Sequence, residues 1–234
     1  MRRMLDPRSG LVALALVSAL VVGGCVGGAA KAPVDTGNLD LAKAKAELMA
    51  GDPAAAEKAL TRSLDKKDSA EGRYYLALIE TRKSNGDRAA ALADVRRSIS
   101  LKPSAPAFLL KGALLEEGDI DGAISSYQLG LADVSPGSLT EALLNRNIGL
   151  AFGKQGVWDK AHTHFEAYAA WAAAKGRQMN DGERAFRGLL LYHAGDETKA
   201  KVAWNGIRDE KLRRSVMDAA AAIKPSYGIV ANSN

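Results

Sequence analysis

A single cysteine, Cys25, stands among 234 residues, so no intramolecular disulfide can form. Histidine is nearly as scarce, with His162, His164 and His193 the whole supply. The first two lie two residues apart, which on a helix points them to different faces, and no Glu-flanked pair of histidines four apart exists. The helical zinc-hydrolase arrangement is therefore excluded, and His193 has no second ligand nearby in sequence. A Gly-rich phosphate loop and a Gly-x-Ser-x-Gly elbow are both missing. Glu116, Glu117, Asp119 and Asp121 crowd together, but without the alternating oxygens and closing Glu of a calcium loop, and acids at such a turn serve to cap helices. Ser63-Leu64-Asp65-Lys66 spells a Ser-x-x-Lys nucleophile motif without its Ser-Asp-Asn and Lys-Thr-Gly companions. The expectation is a chain with no catalytic residues, no metal and no cofactor, hence not an enzyme. Nor is there a dense Lys/Arg stripe with interleaved aromatics, which argues against a nucleic-acid partner, and no small-molecule substrate is indicated.

The sequence is otherwise ordinary for a folded protein, 47% hydrophobic and 25% charged. Its first two dozen residues are the exception. Arg2, Arg3 and Arg8 precede an uncharged run from Ser9 to Gly24 that contains Leu11, Val12, Leu14, Leu16, Leu20, Val21 and Val22, the charged-then-apolar order of a secretory signal. The run is short of the about 20 apolar residues that a spanning helix requires. It ends in Val22-Gly23-Gly24-Cys25, which resembles a bacterial lipobox. That resemblance implies lipidation of Cys25, cleavage before it, and a mature chain held to the bilayer by two or three acyl chains, enough for stable anchoring. Val26 rather than Asp after the cysteine favours, by family analogy, an outer-membrane, periplasm-facing location over inner-membrane retention. Cleavage removes Arg2, Arg3, Arg8 and Asp6, leaving 29 basic against 26 acidic residues, so the overall charge of +5 falls to +3.

Domain organisation follows. Residues 1–24 read as the signal peptide and 25–38 as the lipidated N-terminus and a Gly/Pro-containing tether. Residues 39–223 are helical text punctuated by glycine, and 224–234 form a tail. Glycines 51, 86, 118, 156 and 195 recur at spacings of 35, 32, 38 and 39. An alanine follows each by five residues (Ala56, Ala91, Ala123, Ala161, Ala200), and a large apolar residue by nine (Leu60, Val95, Tyr127, Phe165, Trp204). Such a period marks a solenoid. The glycine is read as a left-handed helix end, and Asp52, Asp87, Asp119 and Asp196, following four of the five, as caps of the next helix. The alanine marks the close crossing of two helices, and the large residue four positions on fills the space beside it.

The pattern resembles the tetratricopeptide repeat (TPR). The fourth unit carries it best, with Asn147 to Phe152, Gln155-Gly156, Trp158, Ala161, Phe165 and Tyr168, and the second closes with Leu101-Lys102-Pro103. Departures are Ile79 and Lys111 where the family has a small residue, and Arg82 for an aromatic. The implied fold is all-α, a right-handed superhelical solenoid of about five TPR-like hairpins with a capping helix over Glu210 to Ile223. The resemblance also implies a concave groove for an extended peptide or a helix. Carried onto this sequence, its positions are Arg73, Leu76, Glu80 and Lys83 in unit two, Phe108 and Gly112 in unit three, and Arg146, Asn147, Leu150 and Lys154 in unit four. With its lipobox, the chain is similar to TPR lipoproteins of pilus and secretin assembly, such as the tight-adherence pilus lipoprotein and type IV pilotins. The implied partners are an envelope protein such as a secretin or pilus component, and the lipid bilayer through acylated Cys25. A docking subunit for a peptidoglycan-processing enzyme is the alternative.

Overall fold

A computed structural model describes residues 36–83 and 86–222. Residues 1–35, read above as the signal and most of the tether with Cys25 among them, and residues 223–234, read as the end of the cap and the tail, lie outside the described residues. Eleven helices and no strand occur among the described residues. They form five antiparallel hairpins: α1 (Thr36–Ala50) with α2 (Pro53–Lys66), α3 (Ala70–Glu80) with α4 (Arg88–Leu101), α5 (Ala105–Leu115) with α6 (Ile120–Ala132), α7 (Leu139–Lys154) with α8 (Trp158–Ala174), and α9 (Asp181–His193) with α10 (Glu197–Asn205). A lone α11 (Glu210–Ala222) follows. This is the five-hairpin solenoid with a closing helix that the repeats predict. Helix α1 begins at Thr36, three residues before Leu39. Among the described residues no helix is long and apolar enough to cross a membrane.

Local chemistry explains where the helices begin. The Asp52 carboxylate accepts from Ala55 N, Asp87 from Ala89 N and Ala90 N, Asp119 from Gly122 N and Asp196 from Lys199 N, each satisfying an orphan amide of the helix it starts. Helix α9 starts with a reciprocal capping box between Asn180 and Glu183. The turn glycines divide into two groups. Gly51, Gly156 and Gly195 have φ of 83°, 74° and 81°, the left-handed helix end expected of all five. Gly118 does not share that geometry, and the front-helix register counted back from the turn slips in units two and three, whereas Ala91, Val95, Ala123 and Tyr127 after the turns are buried as the spacing predicts.

The true register appears where the two helices of a hairpin cross. In units three and five a β-carbon added to Gly112 or Gly188 would stand 2.2 Å from the Tyr127 ring or 2.1 Å from the Trp204 indole. In unit four the same atom on Gly149 would meet Ala161 O and Phe165 at 3.0 Å. In units one and two the equivalent residues are Ala44 and Ala77, fully buried in the clusters that hold Leu60 and Val95 respectively. Glycine thus faces an aromatic residue and alanine an aliphatic one, a volume compensation that keeps the crossing close-packed. Ile79 and Lys111 are not at the crossing. Ile79 belongs instead to the cluster of Ala56, Ala59 and Leu60, facing the preceding hairpin.

Each hairpin also buries residues of the next. Ala107, Leu110 and Leu114 of α5 join the core of the second hairpin, Phe186 and Leu190 of α9 join that of the third and fourth, and Leu212, Val216 and Ala220 of α11 close the fifth around Trp204 and Ile207. The core is therefore continuous from one repeat to its neighbour, as in any stacked repeat array. Helix α5 also touches α7 directly, and α9 touches α11, so the odd-numbered helices line one face and the even-numbered ones the other.

Candidate functional site

The ten residues that the TPR resemblance assigns to a groove have four different environments. Phe108 and Gly112 are buried inside the third hairpin, Phe108 beside Gly130 and Gly112 beneath Tyr127. They face the hairpin interior because the register slips by one residue there. Leu76 packs against the first hairpin for the corresponding reason in unit two. Leu150, next to the crossing glycine of unit four, is half-buried at the edge of the central core.

The charged members are engaged in ion pairs. The Arg73 guanidinium bonds Asp68 at 2.7 Å and Asp94 of α4 at 2.8 Å, and these two carboxylates raise its pKa. Lys83 reaches Glu57 of the previous hairpin at 2.8 Å and Glu80 at 2.7 Å, while Glu80 also accepts from Asp87 N. Those two bonds, Lys83 first, hold the Glu80 carboxyl below its ordinary range. Lys154 bonds Glu116 of the previous hairpin at 2.6 Å.

Arg146 is the best-engaged of all. Buried to 9% exposure, it donates from Nε to Glu183 Oε1 at 2.7 Å, and Glu183 is 3% exposed. The same carboxylate oxygen accepts from Tyr168 OH at 2.8 Å, and its partner oxygen accepts from Asn180 N at 3.0 Å. Arg146 also donates to Asn147 Oδ1 at 3.2 Å. Tyr127 in turn donates to Glu116 Oε1 at 2.6 Å, the carboxylate that Lys154 pairs. Two polar links thus join three successive hairpins, one from Lys154 to Glu116 and Tyr127, the other from Arg146 to Glu183 and Tyr168. Burial first, and then the Glu116 carboxylate, push the Tyr127 phenol up, and burial with the Glu183 hydrogen bond pushes Tyr168 up to about 12. Every charge in these two links has a partner, the condition under which buried polar groups are tolerated.

Further pairs bind neighbouring hairpins along the turn edge, where Arg88 donates to Leu114 O at 2.7 Å and pairs with Glu117, and Gln155 donates to Asp121 at 2.7 Å. The acidic cluster around that turn is thereby a set of inter-repeat fasteners. Lys66 of the Ser-x-x-Lys motif pairs with Asp40 at 2.6 Å. Among the described residues no group of acidic, His or Cys side chains could hold a metal. His164 is half-buried, with Nδ1 2.8 Å from Asn145 Oδ1 and its ring stacked on Phe152, and burial lowers its pKa. His193 lies flat on Trp158, ring centroids 4.0 Å apart, and its buried Nε2 has no hydrogen-bond partner among the described residues. Desolvation lowers its pKa too.

With the register corrected, equivalent front-face positions can be read across the repeats. The residue after each crossing is Lys45, Leu78, Ala113, Leu150 and Leu189; three positions before each crossing stand Leu41, Tyr74, Leu109, Arg146 and Ala185. Tyr74, Ala113, Leu150, Leu189 and, one turn further, Tyr192 are half-buried, with part of each apolar side chain still in solvent. The front face is apolar in its middle, with its polar residues turned into the repeat interfaces. Sequence reasoning missed Tyr74, Ala113, Leu189 and Tyr192. The signal that finds them is the pairing of a small front residue with a large back residue, not the turn glycine.

The fold places the chain among TPR solenoids of known structure. MamA (residues 41 to the end) from Desulfovibrio magneticus RS-1 superposes with a TM-score of 0.59 at 18% identity, covering 79% of this chain and 98% of that one. A thermophilic TPR protein of Thermus thermophilus gives 0.52 at 18% identity, covering 80% of this chain and all of that one. A chain of the APC/C hetero-tetramer Cut9-Hcn1 gives 0.61 at 16% identity, covering 79% of this chain and 36% of that one. No family model matches the sequence, and no curated protein matches it.

Proposed function

We propose that this chain is a membrane-tethered TPR scaffold of the bacterial periplasm that binds a protein along its odd-numbered helices. In this reading it serves the assembly of a pilus, secretin or other envelope complex. The observation that carries the reading is the half-open apolar row of Tyr74, Ala113, Leu150, Leu189 and Tyr192 on a face whose charged residues are spent on internal pairs. Such a surface favours the apolar side of a partner helix or extended segment over a terminal carboxylate, because Arg73, Lys83, Arg146 and Lys154 already hold carboxylates. The lipobox at Cys25 supplies the tether, which raises the local concentration of whatever the front face holds.

The test is photo-crosslinking in cells from Ala113 and Leu150 on the front helices and from Thr163 on the back helix α8. The proposal expects an envelope protein captured from the first two sites and not from the third. Capture from Thr163 alone would place the binding face on the wrong side. A secretin or pilin component among the captured proteins would support the assembly role, and a peptidoglycan hydrolase would replace it with the docking-subunit role.

A further inference from the structure

The edge of the solenoid at which α1 begins carries an uneven charge distribution. Asp40 in the first turns of α1 pairs with Lys66 at the end of α2, and Asp68, just before α3, pairs with Arg97 near the end of α4. These contacts set the starts of α1 and α3 beside the ends of α2 and α4, so the basic residues there share one edge. Arg62, Lys66 and Arg97 keep about half of their side-chain surface in water, at 51%, 47% and 53%. Lys67, Arg96 and Lys102 are exposed as well, and make no ion pair among the described residues. Asp40, Asp65, Asp68 and, in the first turn of α3, Glu71 oppose these six cations, a surplus of two positive charges. Two large apolar side chains stand open at the same edge, Leu39 at 56% exposure and Leu101 at 38%. The corresponding edge of the third hairpin differs, since residues 129–138 contain no cation and include Asp133.

Basic side chains interspersed with exposed leucines are the chemistry of a surface that rests on anionic lipid: cations attract headgroups, and apolar side chains enter the interface. The position in the chain agrees. Ten residues separate Cys25 from Thr36, and a chain of that length spans at most about 35 Å. We propose that this edge of the first two hairpins lies against an anionic phospholipid bilayer, which turns the front face to a fixed orientation above the membrane. The proposal rests on the reading of Cys25 as acylated.

The test reconstitutes the full acylated chain into vesicles of phosphatidylcholine alone and of phosphatidylcholine with phosphatidylglycerol at about 7:3. With Cys25 acylated, a cysteine introduced as Leu101→Cys or, at the opposite end, Val202→Cys is the only free thiol and takes an environment-sensitive fluorophore. The expected result is quenching by lipid-borne spin labels at position 101 at least threefold greater with phosphatidylglycerol than without, and water-like emission at 202 in both. Raising the salt shortens the screening length from about 10 Å at 0.1 M to about 3 Å at 1 M and should reverse the effect. The triple change Lys67→Glu, Arg96→Glu and Lys102→Glu should abolish it. Equal quenching in both lipids, or water-like emission at 101 in both, overturns the proposal. The mass of the purified chain separates the two readings. An unacylated chain removes the anchor and this proposal together, whereas an acylated chain with a water-like position 101 removes this proposal alone.

Discussion

Arg146 of α7 holds Glu183 of α9 at 2.7 Å, with both side chains nearly closed to solvent. The pair spans two repeats, and Tyr168 and Asn180 complete the hydrogen bonding of its carboxylate. Removing one member leaves the other charged, buried and unpaired, so Arg146→Ala or Glu183→Ala should each cost about 3–5 kcal/mol. Replacing both by Met and Leu should cost much less, since apolar residues of similar volume substitute for a buried pair without stranding a charge. Urea unfolding of the two single variants and the double variant measures the difference. Near-additive losses would mean that the pair is not coupled.

Glycine at a helix crossing and at a left-handed turn should lose stability on change to alanine, and glycine at an ordinary turn should not. At Gly188 the new methyl would meet the Trp204 indole, and overpacking of this kind costs about 1–3 kcal/mol net. At Gly118 nothing stands within 4 Å and the backbone is not left-handed, so alanine should be neutral or stabilise by up to about 1 kcal/mol. Gly195, at φ 81°, should lose about 1–2 kcal/mol from the left-handed strain alone. Thermal midpoints of the three variants decide. A destabilised Gly118→Ala would contradict the corrected register.

The histidines predict a pH dependence. His193 and His164 both have folded pKa values lowered by desolvation, so near their ordinary value of about 6.5 the unfolded chain binds protons that the folded chain refuses. Stability should therefore be complete above that value and fall as the pH drops through it toward the depressed folded values. His193 has the unpartnered Nε2, and His193→Gln should flatten part of this slope. Denaturant midpoints between pH 7.5 and 5 test it. A midpoint that rises on acidification would refute the sign.

Much of the architecture was legible in the sequence because it rests on local chemistry. Aspartate caps, turn glycines and the spacing from alanine to a large apolar residue are short-range features, and all five hairpins follow from them, as α11 does from the helical spacing of Leu212, Val216 and Ala220. The front-face residues were less legible, since their positions depend on a register that one turn's length can shift. The α3–α4 connection is longer than its glycine suggests, and the α5–α6 turn closes without a left-handed glycine, which displaced Leu76, Phe108 and Gly112 from the expected face. The partners of Arg146, Lys154 and Lys83 lie 26 to 38 residues away, and pairing over that distance is set by how the hairpins stack, not by any local motif.

The measurement that tests the account most directly is the affinity of the captured partner for the chain from Cys25 onward, by calorimetry, with three changes. Ala113→Glu places a charge in the apolar row, Thr163→Glu places one on the back helix, and Cys25→Ala removes the proposed anchor. The account predicts that Ala113→Glu weakens binding at least tenfold, that Thr163→Glu and Cys25→Ala leave it unchanged, and that Cys25→Ala alone still abolishes function in cells. Binding that survives Ala113→Glu and is lost with Thr163→Glu would contradict it.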